Sequence, residues 1–162
     1  MLRVVSGGQT GVDRAALDVA LELGLECGGW CPRGRRAEDG AIPAVYPLRE
    51  TPSQAYGQRT SWNVRDSQAT LVLIRGRLRG GSARTVEIAA RLGRPCLVVD
   101  LAAADAAERV LAFIAATGAH ILNVAGPRES NAPGIGDEAA ALLRRALAPE
   151  SPGGQSSTIA GT

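Results

Sequence analysis

The sequence predicts an α/β fold: a doubly wound parallel sheet with helices on both faces, three layers (α/β/α) in a single domain. Apolar strand-like runs alternate with amphipathic helical segments along the chain, the pattern of parallel strands joined by right-handed crossovers. The run Ala69–Ile74 (ATLVLI) is apolar without alternation, as a strand buried on both faces requires. The opening stretch LRVVSGGQTGVDRAALD reads strand, glycine-rich turn, helix, which is how such folds build an anion cradle.

The elements follow in order. Leu2–Val5 is a short strand, and Ser6-Gly7-Gly8-Gln9-Thr10-Gly11 is the turn after it. Val12, Ala15, Ala16, Val19, Ala20 and Leu23 recur at helical spacing and end near Gly24. Glu26 to Pro32 reads as a second strand closed by proline. Pro32 to Leu48 has no periodicity and reads as a long loop, a class of segment that often carries function. Ser53 to Asp66 is helical, with Tyr56, Arg59, Thr60 and Asn63 on one face. After strand 69–74 comes a second glycine-rich turn, Arg75 to Ser82, then a helix from Ala83 to Leu92. Cys96 to Leu101 is a strand, Asp105 to Thr117 a helix with Val110, Leu111 and Ile114 inward, and Ala119 to Ala125 the last strand. Gly126-Pro127-Arg128-Glu129-Ser130 leads on toward a closing helix at Asp137 to Leu147.

Composition bounds the function. With 162 residues and 45% hydrophobic residues, the chain holds one domain with an ample core, placed at 1–148. Residues 149–162 are rich in Pro, Gly, Ser and Thr and read as a disordered tail. The net charge is only +2 with arginines spread along the chain, so no nucleic-acid footprint is visible. The absence of a long apolar run or signal peptide argues against a membrane and for the cytoplasm. Lysine is absent, which excludes a Walker-type lysine and a pyridoxal Schiff base. The spacing of Cys27, Cys31 and Cys96 does not suggest a metal site, and His120 stands alone.

Ligands of such sheets sit beyond the C-terminal strand ends, where the strand order switches. Three polar loops reach that edge: Ser6–Gly11, Arg75–Ser82 and Gly126–Ser130. The first two open helices, so Gly7, Gly8, Gln9, Thr10 and Gly11 on one side and Gly80, Gly81 and Ser82 on the other read as two cradles for one phosphorylated ligand. Neither is G-x-G-x-x-G, and no acidic residue ends the second strand, so a dehydrogenase is disfavoured. Arg14, Arg59, Asn63, Thr85 and Arg128 are candidate ligand contacts; for each, a solvated or capping role is the alternative. Glu87 is the candidate catalytic group, as a general base or a ribose contact, against plain helix-start charge. Trp30, Tyr46, Tyr56 and Trp62 suit either a flat ligand or a subunit interface.

Four motifs together resemble the molybdenum carrier family. They are GGQTGVDRAALDVA at Gly7 to Ala20, RTxxNVxDSxATLxL at Arg59 to Leu73, GGSxxTxE at Gly80 to Glu87, and LNVAGPRESxAPGI at Leu122 to Ile135. That family is similar to the Rossmann-like nucleotide-binding proteins that include the cytokinin-activating phosphoribohydrolases. The resemblance spans about Leu2 to Leu147. It implies a Rossmann-like fold, a homo-oligomer (dimer or tetramer), and a site holding a nucleotide or a phosphorylated pterin such as molybdenum cofactor. The phosphoribohydrolase pattern G-G-x-G-T-x-x-E implies an alternative, cleavage of an N-glycosidic bond of a nucleoside monophosphate by Glu87. Here Ala83 stands in place of the third glycine and threonine arrives one place late, at Thr85. A Cβ at position 83 would crowd an approaching phosphate, which favours binding over hydrolysis.

Overall fold

The computed structural model describes residues 1–149. Its elements, in chain order, are β1 (Arg3–Val5), α1 (Val12–Glu22), β2 (Glu26–Gly28), β3 (Trp30–Cys31), β4 (Arg36–Ala37), β5 (Gly40–Ala41), β6 (Arg49–Glu50), α2 (Tyr56–Arg65), β7 (Ala69–Ile74), α3 (Gly80–Arg91), β8 (Cys96–Asp100), α4 (Ala106–Thr117), β9 (Ile121–Ala125) and α5 (Ile135–Leu147). The reading of residues 149–162 as a disordered tail falls, from residue 150 onward, outside the described residues.

The central sheet has the order β2-β1-β9-β7-β8 with every pairing parallel. The last strand therefore inserts between the first and the seventh. Counting the strands cyclically from β9 turns this into 3-2-1-4-5, the Rossmann order, with its beginning moved to the end of the chain. The switch in strand order falls between β9 and β7. There the chain departs one way from β9's neighbours and the other way from β7 to β8.

Helices α1, α5 and α4 pack side by side, and α2 packs against α3. The right-handed crossovers put these two groups on opposite faces, giving three layers in one domain. Alanines at 15, 16 and 20 of α1 and at 139, 140 and 146 of α5, all buried, let those helices approach closely. Leu71, Leu73, Leu122 and Leu143 are fully buried in the same core. Each such side chain stabilises the fold by roughly 1.5–3 kcal/mol relative to exposure.

The strand read over Glu26 to Pro32 breaks in two. Gly29 has φ +131°, and a Cβ there would run into the Ser6 carbonyl, so the chain turns out of the main sheet at that point. β3 then pairs with β6 instead. The loop Pro32–Leu48 is not without structure: β4 and β5 form a small antiparallel hairpin within it. α3 begins three residues earlier than the sequence suggests, at Gly80, so the glycine pair is the helix's first turn and not a separate loop. No helix among the described residues is long and apolar enough to cross a membrane.

Candidate functional site

A cavity of about 470 Å³ opens at the switch point, beyond the C-terminal ends of β1, β9 and β7. Its volume lies in the range of small-molecule sites. Three helices start near this edge, and they differ in what occupies their first turns.

At α1 protein takes part of the place. The Val12 N–H donates to the Pro127 carbonyl at 3.2 Å, and the Gln9 N–H donates to Asp13 Oδ2 at 3.3 Å. Gly11, with φ +78°, lies so close to the β9–α5 loop that a Cβ would strike Pro127 O and come within 2.8 Å of Glu129 N. At α5 the Glu129 carboxylate accepts from the N–H groups of Gly134 (2.5 Å) and Gly136 (3.0 Å). An internal carboxylate thus occupies the end of α5 where an external anion would sit.

At α3 nothing does so. Its first backbone bond is Ala83 N–H to Arg79 O, so the N–H groups of Gly80, Gly81 and Ser82 have no acceptor among the described residues. A Cβ added at Gly80 or Gly81 would meet only open space. By the same criterion the N–H groups of Gly7, Gly8, Gly11 and Asp13 also lack an acceptor among the described residues, so the first glycine-rich turn is only partly filled by the β9–α5 loop, while the start of α3 is free of such packing.

Five arginines line the cavity: Arg59, Arg75, Arg77, Arg79 and Arg128. Arg75 pairs with Glu138 at 2.6 Å and Arg59 with Asp13 at 3.0 Å. Among the described residues Arg77, Arg79 and Arg128 have no carboxylate within salt-bridge reach, and Asp13 is the cavity's only acidic lining residue. Burial pushes the Asp13 carboxyl above its ordinary value, while the Arg59 guanidinium pulls the other way. Gly7 makes this ion pair possible, since a Cβ there would overlap the Arg59 guanidinium. The Tyr56 ring sits among Arg36, Arg59 and Arg128, whose guanidinium carbons lie 5.0, 5.4 and 5.4 Å from its centroid.

Of the residues singled out in the sequence, Gly7, Gln9, Arg59, Asn63, Gly80, Gly81, Ser82, Thr85 and Arg128 line this one cavity. Two of these have their polar atoms committed elsewhere. The Asn63 amide accepts from Trp30 N–H (2.8 Å) and donates to Trp30 O (2.9 Å), and the Thr85 hydroxyl donates to Gly81 O. Gly8 backs onto Ile42 and Leu48. Thr10, Gly11 and Arg14 face a separate groove between α1 and α5. There Thr10 donates to Glu38, and Arg14 grips Asp39 at 2.5 Å and 3.1 Å. Both carboxylates belong to the β4–β5 segment, which also reaches Ser130 through Glu38.

Glu87 is exposed and outside the cavity lining. At 100° per residue it lies about 140° around α3 from Ser82, away from the face Ser82 shares with Thr85. Arg75, Arg77 and Arg79 escaped the sequence reading, although their alternation with Gly76 and Leu78 just before Gly80 was the available signal. The four aromatics do not form one cluster. Trp30 and Trp62 pack edge to face at 4.8 Å, Tyr46 is buried in a satellite core, and Tyr56 stands with the arginines.

Residues 4–147 match the model of the circularly permutated YpsA SLOG family. A solved structure, that of a protein named "Putative molybdenum carrier protein" from Syntrophus aciditrophicus SB, is 42% identical with a TM-score of 0.89. The similarity covers 91% of this chain and 96% of that one. No curated protein matches the chain. The cyclic shift of the Rossmann order and the match over nearly the whole described length agree: the chain belongs to the circularly permutated YpsA SLOG family.

Proposed function

We propose that this protein binds a phosphorylated ligand, a nucleotide or a molybdenum cofactor-type pterin, in the switch-point cavity and carries it without turning it over. One observation carries the reading: Arg77, Arg79 and Arg128, unpaired among the described residues, share a cavity with the three open N–H groups of α3. Guanidinium forks and helix-start amides both suit tetrahedral oxyanions. The relative's name, a molybdenum carrier, supports the same class of cargo. Phosphate and molybdate are both oxyanions of the kind this donor set fits.

The carrier reading is favoured over hydrolysis by the placement of the acids. Asp13 is engaged with Arg59, and Glu87 points away from the cavity. The binding domain, residues 1–148, is proposed to act in the cytoplasm as a homo-oligomer.

Thermal denaturation with inorganic pyrophosphate, AMP, GMP and molybdenum cofactor tests the reading. A ligand at one hundred times its Kd stabilises by about 2.7 kcal/mol. For a domain of this size that raises Tm by roughly 5–10 °C. No shift with any of them at millimolar concentration overturns it.

A further inference from the structure

The cavity lining also carries amide and hydroxyl side chains. Three of these have their polar atoms committed: Asn63 to Trp30, Thr60 to Tyr56 O, Thr85 to Gly81 O. Gln9 does not. It is 5% exposed, and its Oε1 accepts from Thr10 N–H at 3.1 Å and Glu38 N–H at 2.9 Å. Those two donors fix which end of the amide is oxygen, because exchanging the ends would set N–H against N–H. Its Nε2 is buried and donates to nothing among the described residues. A buried donor left without an acceptor is costly, and native structures keep few of them. Asn123, which lines the same cavity, is 3% exposed in the centre of β9. One end of its amide meets Thr70 Oγ1 at 3.3 Å, and the other end makes no hydrogen bond among the described residues.

We propose that Gln9 is a specificity-determining donor: the arginine wall takes a phosphate, and Gln9 Nε2 reads a hydrogen-bond acceptor on an uncharged head joined to it, an inference that rests on the phosphate reading above. The acceptor is a carbonyl oxygen or an unprotonated ring nitrogen of a heterocycle, with Asn123 completing the polar edge. A bare oxyanion leaves Gln9 unsatisfied, so it binds more weakly than a ligand that carries the head. Sites built to hydrogen-bond a ligand group discriminate strongly against analogues that lack it.

Calorimetric titration with inorganic pyrophosphate, ribose 5-phosphate, GMP and neopterin monophosphate tests this. In the unaltered protein GMP or the pterin binds at least about tenfold tighter than ribose 5-phosphate, the worth of one good hydrogen bond. Which of the two does so separates a nucleotide from a pterin head. Gln9→Glu keeps an oxygen for the two backbone N–H groups and removes the donor. The ratio of the ribose 5-phosphate Kd to the headed ligand's Kd falls in that variant to within about twofold of unity. Taking the ratio cancels the added charge. Equal affinity for headed and headless phosphates in the unaltered protein overturns the proposal, whatever the variant's folding. So does a ratio that survives Gln9→Glu. Binding of pyrophosphate without preference for any head leaves the phosphate reading standing, whereas no binding of any phosphate removes both.

Discussion

Replacing Gly11 by alanine is the sharpest structural test of how α1 begins. The residue has φ +78°, and its would-be Cβ points at backbone: Pro127 O, Glu129 N at 2.8 Å and Arg128 C at 2.9 Å. Side-chain rotation cannot relieve a clash with backbone. With φ +78° and ψ −130° the residue lies outside the left-handed helical well, in a region sparsely open to any residue but glycine, which costs an alanine about 1–3 kcal/mol. Displacing the β9–α5 loop also breaks the Val12 N–H bond to Pro127 O, worth about 1 kcal/mol. The sum is roughly 2–4 kcal/mol, or a fall in Tm of about 5–15 °C for a domain of this size. Urea denaturation followed by far-ultraviolet circular dichroism measures the first, and calorimetry the second. Because Arg128 lies in the displaced loop, pyrophosphate affinity falls as well. A Gly11→Ala protein with unchanged midpoint refutes the packing argument, since it means the start of α1 stands open after all.

Other substitutions separate structure from binding. Gly81→Ala has open space and no left-handed backbone to contend with, so helix propensity stabilises it by up to about 1 kcal/mol. Its methyl group nonetheless enters the anion's approach, so pyrophosphate titration shows weakened binding in a protein whose Tm is unchanged or higher. Arg59→Met takes from the buried Asp13 carboxylate the cation it is hydrogen-bonded to and costs about 3–5 kcal/mol at neutral pH. Asp13 has its pKa raised above 3.8 by burial, so its contribution is fully present below that value and is lost as pH rises through the folded pKa. Denaturation of Arg59→Met at several pH values therefore shows recovery on the acid side. The Tyr46 hydroxyl is pushed up to about 12 by burial and by its 2.6 Å bond to Asp18. Its contribution is full below pH 10 and fades as pH rises through about 12; ultraviolet titration detects the late ionisation, and Tyr46→Phe flattens that alkaline limb.

Much of the fold is legible because it is local. Ala69–Ile74 must be buried on both faces, and the alternation of strands with helices sets a parallel sheet before any coordinates exist. The strand order is not legible this way. Nothing in residues 119–125 announces that β9 lies between β1 and β7, because that placement is a long-range choice among equally apolar partners. The site shows the same division. Gly80 and Gly81 do open a helix, as a glycine pair before a helical run suggests, since a helix start is a local feature. Ser6–Gly11 has the same strand–glycine–helix pattern, yet what fills its helix end is Pro127, brought there by the tertiary fold. Gly7 is small to admit Arg59, and Asn63 is polar to hold Trp30; neither purpose is visible without the partner. Glu87 misled through spacing along the chain, because once α3 starts at Gly80 that spacing carries it around the helix and out of the cavity.

The start of α3 presents the more open of the two glycine-rich turns, with three successive N–H groups unpaired among the described residues. Backbone amide shifts of the nitrogen-15-labelled protein, followed through a titration with inorganic pyrophosphate, test it most directly. The account predicts the largest shifts at Gly80, Gly81 and Ser82, with Arg77 and Arg79 moving alongside and Val12, whose N–H is held by Pro127 O, nearly still. Shifts centred on Gly8 to Asp13, with α3 unmoved, would contradict it.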